Sequence, residues 1–329
     1  MLFNKENKEN IASSLMARRC AKALFHIQQR RRRREAMAEG KIIKALSGFY
    51  YVLSDGQVYQ CRGRGVFRKR KVTPLVGDYV SFQVENEREG YILDVFERKN
   101  ELVRPPIANI DQAILVFSAV EPDFSPGLLD RFLVLIEAKN IRPMIVVSKM
   151  DLVDDETKPR IEQYIRDYRQ IGYDVLEVSV KTRAGVDALL PYLEGKVSVF
   201  AGQSGVGKSS LLNALRPGLQ LKTGDISHHL GRGKHTTRHV EFIEIGGGFV
   251  ADTPGFSALE FDEIELEQLP LCFPEFVARS ADCKFRGCTH TAEPKCAVKE
   301  ALASGDIPSY RYEHYVSFIK EIKERKPRY

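Results

Sequence analysis

The segment VSVFAGQSGVGKSSLLNAL, residues 197–215, decides the fold. Val197–Phe200 reads as a short buried strand and Ser209–Leu215 as a helix, with GQSGVGKSS (Gly202–Ser210) as the turn between them. A strand, a glycine-rich turn and a helix in that order are what a phosphate-binding loop requires. Gly202 and Gly207 let the backbone curl until consecutive N–H groups face one anion. The loop as a whole, Gly202, Gln203, Ser204, Gly205, Val206, Gly207, Lys208, Ser209 and Ser210, is therefore the expected seat of a nucleotide's phosphates. Lys208 would supply a point charge to the β- and γ-phosphates, and the Ser209 hydroxyl is an expected Mg²⁺ ligand.

A second motif selects the base. Val146-Val147-Ser148-Lys149-Met150-Asp151 places a strand directly before S-K-M-D, close to the N-K-x-D that reads guanine. Asp151 can accept from guanine N1–H and the 2-amino group, whereas adenine has neither donor and would leave a buried carboxylate unpaired. The Lys149 stem packs along the base plane. Ser148 stands where Asn or Thr is usual, and its shorter side chain weakens the site by about 1 kcal/mol. A third motif, Asp252-Thr253-Pro254-Gly255, ends another strand; Asp252 would hold Mg²⁺ through a water, and the Gly255 N–H would meet the γ-phosphate. A fourth, Ser179-Val180-Lys181, would support the guanine through backbone groups. Four motifs at four strand ends point to GTP.

Their order is unusual. In Ras-like GTPases the phosphate loop comes first, but here Ser148–Asp151 precedes Gly202–Ser209 by about fifty residues. The same sheet still forms if the old termini are joined and the chain is cut elsewhere, a circular permutation. Asp252–Gly255 and the segment before it then lead directly into the C-terminal region, so a γ-phosphate signal can pull on that region.

The fold class expected is multidomain α/β. From 107 to 262, Ala113–Ser118, Met144–Ser148, Val175–Val180, Val197–Phe200 and Phe249–Asp252 read as buried parallel strands, with helices over Leu128–Lys139 and Lys158–Gln170. This is a doubly wound sheet around a P-loop. Before it, Phe49–Leu53, Gln57–Cys61, Tyr79–Val84 and Tyr91–Phe96 alternate as short strands between turn residues, which suits an OB-type β-barrel of about five strands. Its loop RGRGVFRKRK carries Arg62, Arg64, Arg68, Lys69, Arg70 and Lys71 around Phe67, either a solvated hairpin or a surface that tracks a nucleic-acid backbone. The C-terminal part is helical and ends in a basic amphipathic stretch, Tyr310–Arg325.

Within it, Cys283-x₄-Cys288-x-His290-x₅-Cys296 offers three thiolates and an imidazole. That is a complete tetrahedral set for one structural Zn²⁺, with no open position for catalysis. Cys20, Cys61 and Cys272 have no partner at ligand spacing and read as unligated thiols.

The chain has 329 residues, 43% of them apolar, and a net charge of +6. No apolar run approaches the roughly 18 residues of a membrane span, and six cysteines in this length do not make a disulfide scaffold. Residues 1–36 hold ten Lys/Arg against three acids, a net +7, so the remainder carries −1. The basic balance belongs to the N-terminal extension. Three readings of it stay open: an Arg-rich RNA-binding arm, a short helix with a solvated basic end, or a translation start at Met37.

From Met37 to Tyr329 the chain resembles the RsgA (YjeQ-type) family of bacterial circularly permuted GTPases of small-ribosomal-subunit assembly. The permuted motifs, RGRGVFRK, RPPIANIDQ, LLDRFLV, GRGKHTTRHVE and the metal cluster carry the resemblance. It implies an OB barrel over 41–104, a permuted GTPase domain over 105–262 and a helical zinc-binding domain over 263–329, which together grip the 30S subunit; the basic extension, taken as 1–40, lies before them. In the glycine-rich switch Gly231–Glu241 it favours Thr237 as the Mg²⁺-sensing hydroxyl, with Thr236 the close alternative. Phe256 stands where Ras-like enzymes often carry the water-orienting Gln, and His235 beside the threonines is the expected replacement. Catalysis would thus rest on His235, Thr237 and Lys208.

The function implied is GTP hydrolysis, stimulated by 30S and coupled to release, in late maturation of that subunit. GTP/GDP, Mg²⁺ and one Zn²⁺ would be bound, and 16S rRNA and small-subunit proteins would be the partners. The chain would act as a cytoplasmic monomer with no membrane contact. The rival is a passive RNA-binding scaffold that a guanine nucleotide merely stabilises.

Overall fold

The computed structural model describes residues 37–63, 67, 72–103, 105–219, 240–252 and 261–325. The expectations for residues 1–36, for Arg64, Arg68, Lys69, Arg70 and Lys71, and for His235, Thr236, Thr237, Gly255 and Phe256 lie outside the described residues. The chain divides into two compact units; the first ends at Glu97, and the second takes Leu75–Gly77 and continues from Arg98.

The first unit is a five-stranded barrel. Its strands are β1 (Met37–Leu46), β2 (Phe49–Ser54), β3 (Gln57–Gly63), β4 (Tyr79–Val84) and β5 (Glu89–Val95). They pair in the order β1-β2-β3-β5-β4, and β4 returns to β1 to close the ring. The long first strand serves both neighbours because it bulges between Ile42 and Lys44; a bulge adds the twist that closure needs. Alternation sends Ile42, Val52, Cys61, Val80, Phe82 and Ile92 inward, all fully buried. Phe67 joins them at 5% exposed. The aromatic of the basic stretch is therefore buried instead of offering a stacking face.

In the second unit a hairpin, β6 (Glu101–Leu102) and β7 (Ile107–Ala108), precedes the main sheet. The RPPIANIDQ stretch is explained locally. The Asn109 side-chain amide donates to the Gly77 carbonyl and its oxygen accepts from the Lys99 N–H, while Asp111 accepts from the Val197 N–H at 2.7 Å.

The main sheet comprises β8 (Gln112–Ser118), β9 (Arg142–Ser148), β10 (Asp174–Glu177), β11 (Val197–Ala201), β12 (Val240–Ile245) and β13 (Gly248–Asp252). Its order is β10-β9-β8-β11-β13-β12, parallel except for β12. All seven residues of β8 are buried, as both-sided covering demands. On one face Ile114, Val116, Val146 and Phe200 meet Leu211 and Leu212 of helix Lys208–Leu215. On the other, Phe117 meets Phe132 of helix Pro126–Glu137 edge-on, with ring centroids 5.8 Å apart. Ser125 caps that helix, with Pro126 at its first position; helix Lys158–Ile171 ends at Gly172 in the left-handed conformation. The strand expected over Val175–Val180 stops at Glu177: Val178 still donates to Val147, and the chain then turns where the Ser179 N–H reaches Ala184.

The C-terminal helices are Pro274–Ser280, Ala297–Ser304 and Ser309–Glu324. They share one core with Val134 and Phe261, in which Phe273, Phe276 and Tyr315 are fully buried. Arg311, expected on a basic amphipathic surface, lies in that interior at 0% exposed, paired with Asp130 and Glu275. The exposed face of its helix is mixed, with Lys320 and Lys323 beside Glu313, Glu321 and Glu324.

Candidate functional site

Three neighbouring parallel strands, β9, β8 and β11, are in register through Ser118↔Ser148 and Leu115↔Ala201. Their carboxyl ends, with those of β10 and β13, form one edge of the sheet, where ligands of open α/β sheets sit. The phosphate loop leaves β11 at Gly202, whose φ is 138°. A Cβ there would stand 2.1 Å from the Val116 carbonyl oxygen, so only glycine fits. Gly207 takes φ 94° as the residue before the helix, which turns the amides that follow toward the loop. Val206 is fully buried and pins the loop to the core, while Ser204 and Gly205 are exposed. Lys208 and Ser209 start the helix at 9% and 7% exposed.

The Lys208 ammonium donates to the carbonyls of Gly202 and Gln203. Burial pushes its pKa down to about 8. A bound phosphate supplies countercharge and holds the proton on, so binding takes up a proton once the free protein has lost it. Nucleotide affinity is therefore nearly full at pH 7, about halved at pH 8, and expected to fall about tenfold between pH 7 and pH 9. Titration of GDP across that range checks it; a flat profile would contradict the role of Lys208.

The Ser148 hydroxyl, 3% exposed, lies 2.6 Å from the Val206 carbonyl and 3.2 Å from that of Phe117. Its reach is to the phosphate loop and the neighbouring strand, which locks the S-K-M-D segment to the loop. Lys149 follows in the left-handed conformation, φ 57° and ψ 35°, and its ammonium donates to the Glu121 carbonyl. Asp151, expected as a buried carboxylate, is exposed because it lies in the turn beyond the end of β9, and its Oδ1 accepts from the Ser179 hydroxyl at 2.6 Å. That hydroxyl oxygen in turn accepts from the Thr182 N–H at 3.1 Å. The fold thus brings Asp151 and Ser179 together, with Val180 half-buried and Lys181 exposed beyond them. Asp252 ends β13 next to β11. Glu121 is the residue that sequence reasoning missed; nothing in its type marks it, because its backbone oxygen makes the contact.

At the C-terminal cluster the ligand atoms of Cys283, Cys288, His290 and Cys296 all lie within 4.8 Å of one another. His290 Nδ1 is 3.4 Å from Cys296 Sγ and 3.7 Å from Cys283 Sγ. Its other nitrogen faces the Ser280 hydroxyl at 3.4 Å, and Ser280 donates to the Phe276 carbonyl. An imidazole held from its far side by a hydrogen-bonding group is how ligating histidines are oriented. Tyr312 and Tyr315 donate to the carbonyls of His290 and Thr289, so the C-terminal helix fixes the loop that presents the histidine. Three sulfurs and one nitrogen at this spacing fit Zn²⁺. Lys284, Arg286, Lys295 and Lys299 surround it, all exposed.

Two family models match the chain: RsgA GTPase over residues 95–262 and RsgA N-terminal domain over residues 39–92. A protein of a Geobacillus species named small ribosomal subunit biogenesis GTPase RsgA is 78% identical over 293 residues, covering 89% of this chain and all of the relative. The protein of the same name from Geobacillus kaustophilus is 72% identical over the same shares. Among solved structures, YloQ, described as a circularly permuted GTPase, superposes with a TM-score of 0.78 at 57% identity, covering 89% of this chain and 97% of its own. YjeQ from Thermotoga maritima superposes with a TM-score of 0.79 at 38% identity, covering 88% of this chain and all of its own.

Proposed function

The chain belongs to the RsgA GTPase family and is a GTP-hydrolysing enzyme, and from that premise we propose that it binds the 30S subunit, through 16S rRNA and small-subunit proteins, and promotes a late step of its assembly. The observation that carries the proposal is the name of its relatives at 78% and 72% identity, small ribosomal subunit biogenesis GTPase. Of the domains expected over 1–40, 41–104, 105–262 and 263–329, the four-part division is proposed with two boundaries moved: strand Met37–Leu46 ends the extension at 36, and the second unit continues from Arg98, so the barrel ends at Glu97. The enzyme works as a cytoplasmic monomer without membrane contact; among the described residues no helix is long and apolar enough to cross a membrane.

In this reading the amides of Gly202–Ser210 and the Lys208 ammonium hold the β- and γ-phosphates. The phosphate oxygens take over the contacts that Lys208 makes with the Gly202 and Gln203 carbonyls. Ser209 and Thr237, with Asp252 through a water, would hold Mg²⁺, which neutralises charge developing on the phosphates. Thr236 lines the same switch, and the Gly255 N–H meets the γ-phosphate. Asp151 accepts from the base, Lys149 lies along its plane, and Ser179, Val180 and Lys181 form the pocket wall. His235 orients the water that attacks the γ-phosphorus as the bond to the bridging oxygen breaks, yielding GDP and phosphate. GTP favours the 30S-bound switch, and hydrolysis releases the protein.

Steady-state hydrolysis with and without purified 30S, for wild type and His235→Ala, tests this. Subunits are expected to accelerate turnover, and the variant to lose about 100-fold in stimulated kcat while keeping its GDP affinity within about twofold. No acceleration would remove 30S as the partner; retained acceleration would remove only His235. A passive scaffold would instead bind subunits equally with GDP and with a non-hydrolysable GTP analogue.

For the Cys₃His cluster we expect one structural Zn²⁺ per chain, whose removal by a strong chelator melts the C-terminal helices before the sheet. Native mass spectrometry showing no zinc, or helices that survive chelation, would rule that out.

A further inference from the structure

We propose that Tyr310 and His314, on the C-terminal helix, are positioning residues for guanine recognition and act on Lys149 through the segment between β8 and the helix Pro126–Glu137. The inference rests on reading Lys149 as a contact of the base.

Lys149 occupies a left-handed conformation that a lysine adopts at a cost of about 1 kcal/mol or more. Its ammonium is anchored on the Glu121 carbonyl. Where the Lys149 stem lies therefore depends on where residue 121 is held. Glu121 has a positive φ of its own, 55°. The segment carrying it is tied at its start to β9, by the Ala119 N–H donating to the Ser148 carbonyl at 2.9 Å. Its far end is held by the C-terminal helix in two ways.

The first hold is an aromatic column. Phe124, 8% exposed, stacks on Tyr164 with centroids 5.3 Å apart and 22° between the planes. Tyr164 meets Tyr310 edge-on at 5.4 Å and 90°. Offset stacking and an edge contact are the two arrangements such rings prefer, and both are orientation-specific. The second hold is a wedge. His314 Nδ1 pairs with Asp130 Oδ2 at 2.6 Å, and its Nε2 lies 3.1 Å from where a Cβ on Gly127 would be. The imidazole thus sits directly on the first turn of the helix that Ser125 caps. Tyr310 and His314 are four residues apart, so one face of one helix grips both Phe124 and Gly127.

The consequence is a coupling that bypasses the γ-phosphate. The route ends at the base motif, so it acts on GDP and GTP alike. Because coupling is reciprocal, a bound guanine nucleotide of either kind tightens the seat of the C-terminal helix. This differs from a switch-driven signal, which distinguishes the two nucleotides.

The test uses the full chain and a double-mutant cycle. His314→Ala and Tyr310→Ala are made in wild type and in Lys149→Met, which keeps the stem but removes the ammonium that bonds Glu121. Affinities for GDP and for a non-hydrolysable GTP analogue are measured by titration, with thermal melting recorded alongside. Each alanine variant is expected to raise both dissociation constants by about fivefold in wild type, and by less than about 1.5-fold in Lys149→Met. Tyr310→Phe, which keeps the ring, should restore wild-type affinity, whereas His314→Asn, whose amide keeps the Asp130 contact but is too short to reach Gly127, should retain the loss. If the alanine variants do not fold, Tyr310→Leu and His314→Asn are run through the same cycle, and both should then show the loss in wild type and not in Lys149→Met. Equal losses in both backgrounds, or no loss in a folded variant, would overturn the proposal. Should Lys149→Met itself leave affinity unchanged, the anchor on Glu121 does not set the stem and the relay fails; should Lys149→Ala, which removes the stem, also leave it unchanged, the base contact fails as well; should Lys149→Met weaken binding while the alanine variants do not, the relay alone fails.

Discussion

Asp151→Asn is expected to exchange the base preference of the nucleotide site. The carboxylate offers only acceptors, and the Ser179 hydroxyl already occupies part of Oδ1 at 2.6 Å. The remaining lone pairs match the N1–H and 2-amino donors of guanine. An asparagine in the same place keeps its oxygen toward Ser179, because only that atom can accept the hydroxyl proton. Its amide group is thereby turned toward the base, donor against donor. Two hydrogen bonds to a charged acceptor are lost, at about 1.5–3 kcal/mol each, so affinity for GDP should fall by about 10²–10⁴-fold. Xanthine carries a carbonyl in place of the 2-amino group and gives the new amide something to donate to. Competition of GDP and XDP for the variant checks both halves. A GDP affinity within tenfold of wild type, or no gain for XDP, would show that Asp151 does not read the base.

The fold was legible wherever burial imposes a period. Tyr79–Val84 is a strand to the residue, because alternation ends where the sheet ends. Val175–Val180 was read too long for a related reason. Val178 is buried at 1% exposed, but in the core beyond the strand, and apolarity reports burial and not pairing. The phosphate loop was legible because its chemistry needs particular residue types at fixed spacing. The Ser148 hydroxyl was legible only as a deviation from Asn; that it reaches the Val206 carbonyl is a property of two strand ends brought together by the sheet. The anchoring of Lys149 on Glu121 has no sequence signal at all, since any residue carries a carbonyl. Arg311 had a signal that went unused. It lies four residues before Tyr315 and seven before Phe318, on the stripe that Ile319 and Ile322 continue. A charge inside such a stripe is either an interruption of the core or the hub of a buried pair.

Here it is the hub, and Arg311→Met should be among the most damaging single changes in the described structure. The guanidinium is 0% exposed and donates to Asp130 Oδ1 at 2.5 Å, to Glu275 Oε1 at 2.7 Å and to Glu275 Oε2 at 3.0 Å. Its flat face lies 4.6 Å from the Phe273 ring centroid. Burial alone would drive its proton off, but Asp130 and Glu275 outweigh that and hold its pKa well above the ordinary arginine value. Tyr168 donates to the same Asp130 oxygen at 2.7 Å and His314 pairs with the other, and at 0% exposed the carboxylate has no water to fall back on. Methionine fills much of the volume, so cavity formation is not the main cost. What remains is two carboxylates, 0% and 5% exposed, without their cation. Breaking a buried pair in this way costs about 3–5 kcal/mol, although the intact pair contributes far less than that in net stability. The same asymmetry supplies the control. Replacing Arg311, Asp130 and Glu275 together by apolar residues removes the stranded charges and should recover part of the loss, the rest remaining because Tyr168 and His314 then lose Asp130 as their acceptor. Urea denaturation of the parent, the single variant and the triple variant separates the outcomes. A single variant within about 1 kcal/mol of the parent would mean that water reaches the carboxylates and the cluster is not dry. A triple variant no better than the single would mean that packing, not charge, holds the C-terminal helices on Pro126–Glu137.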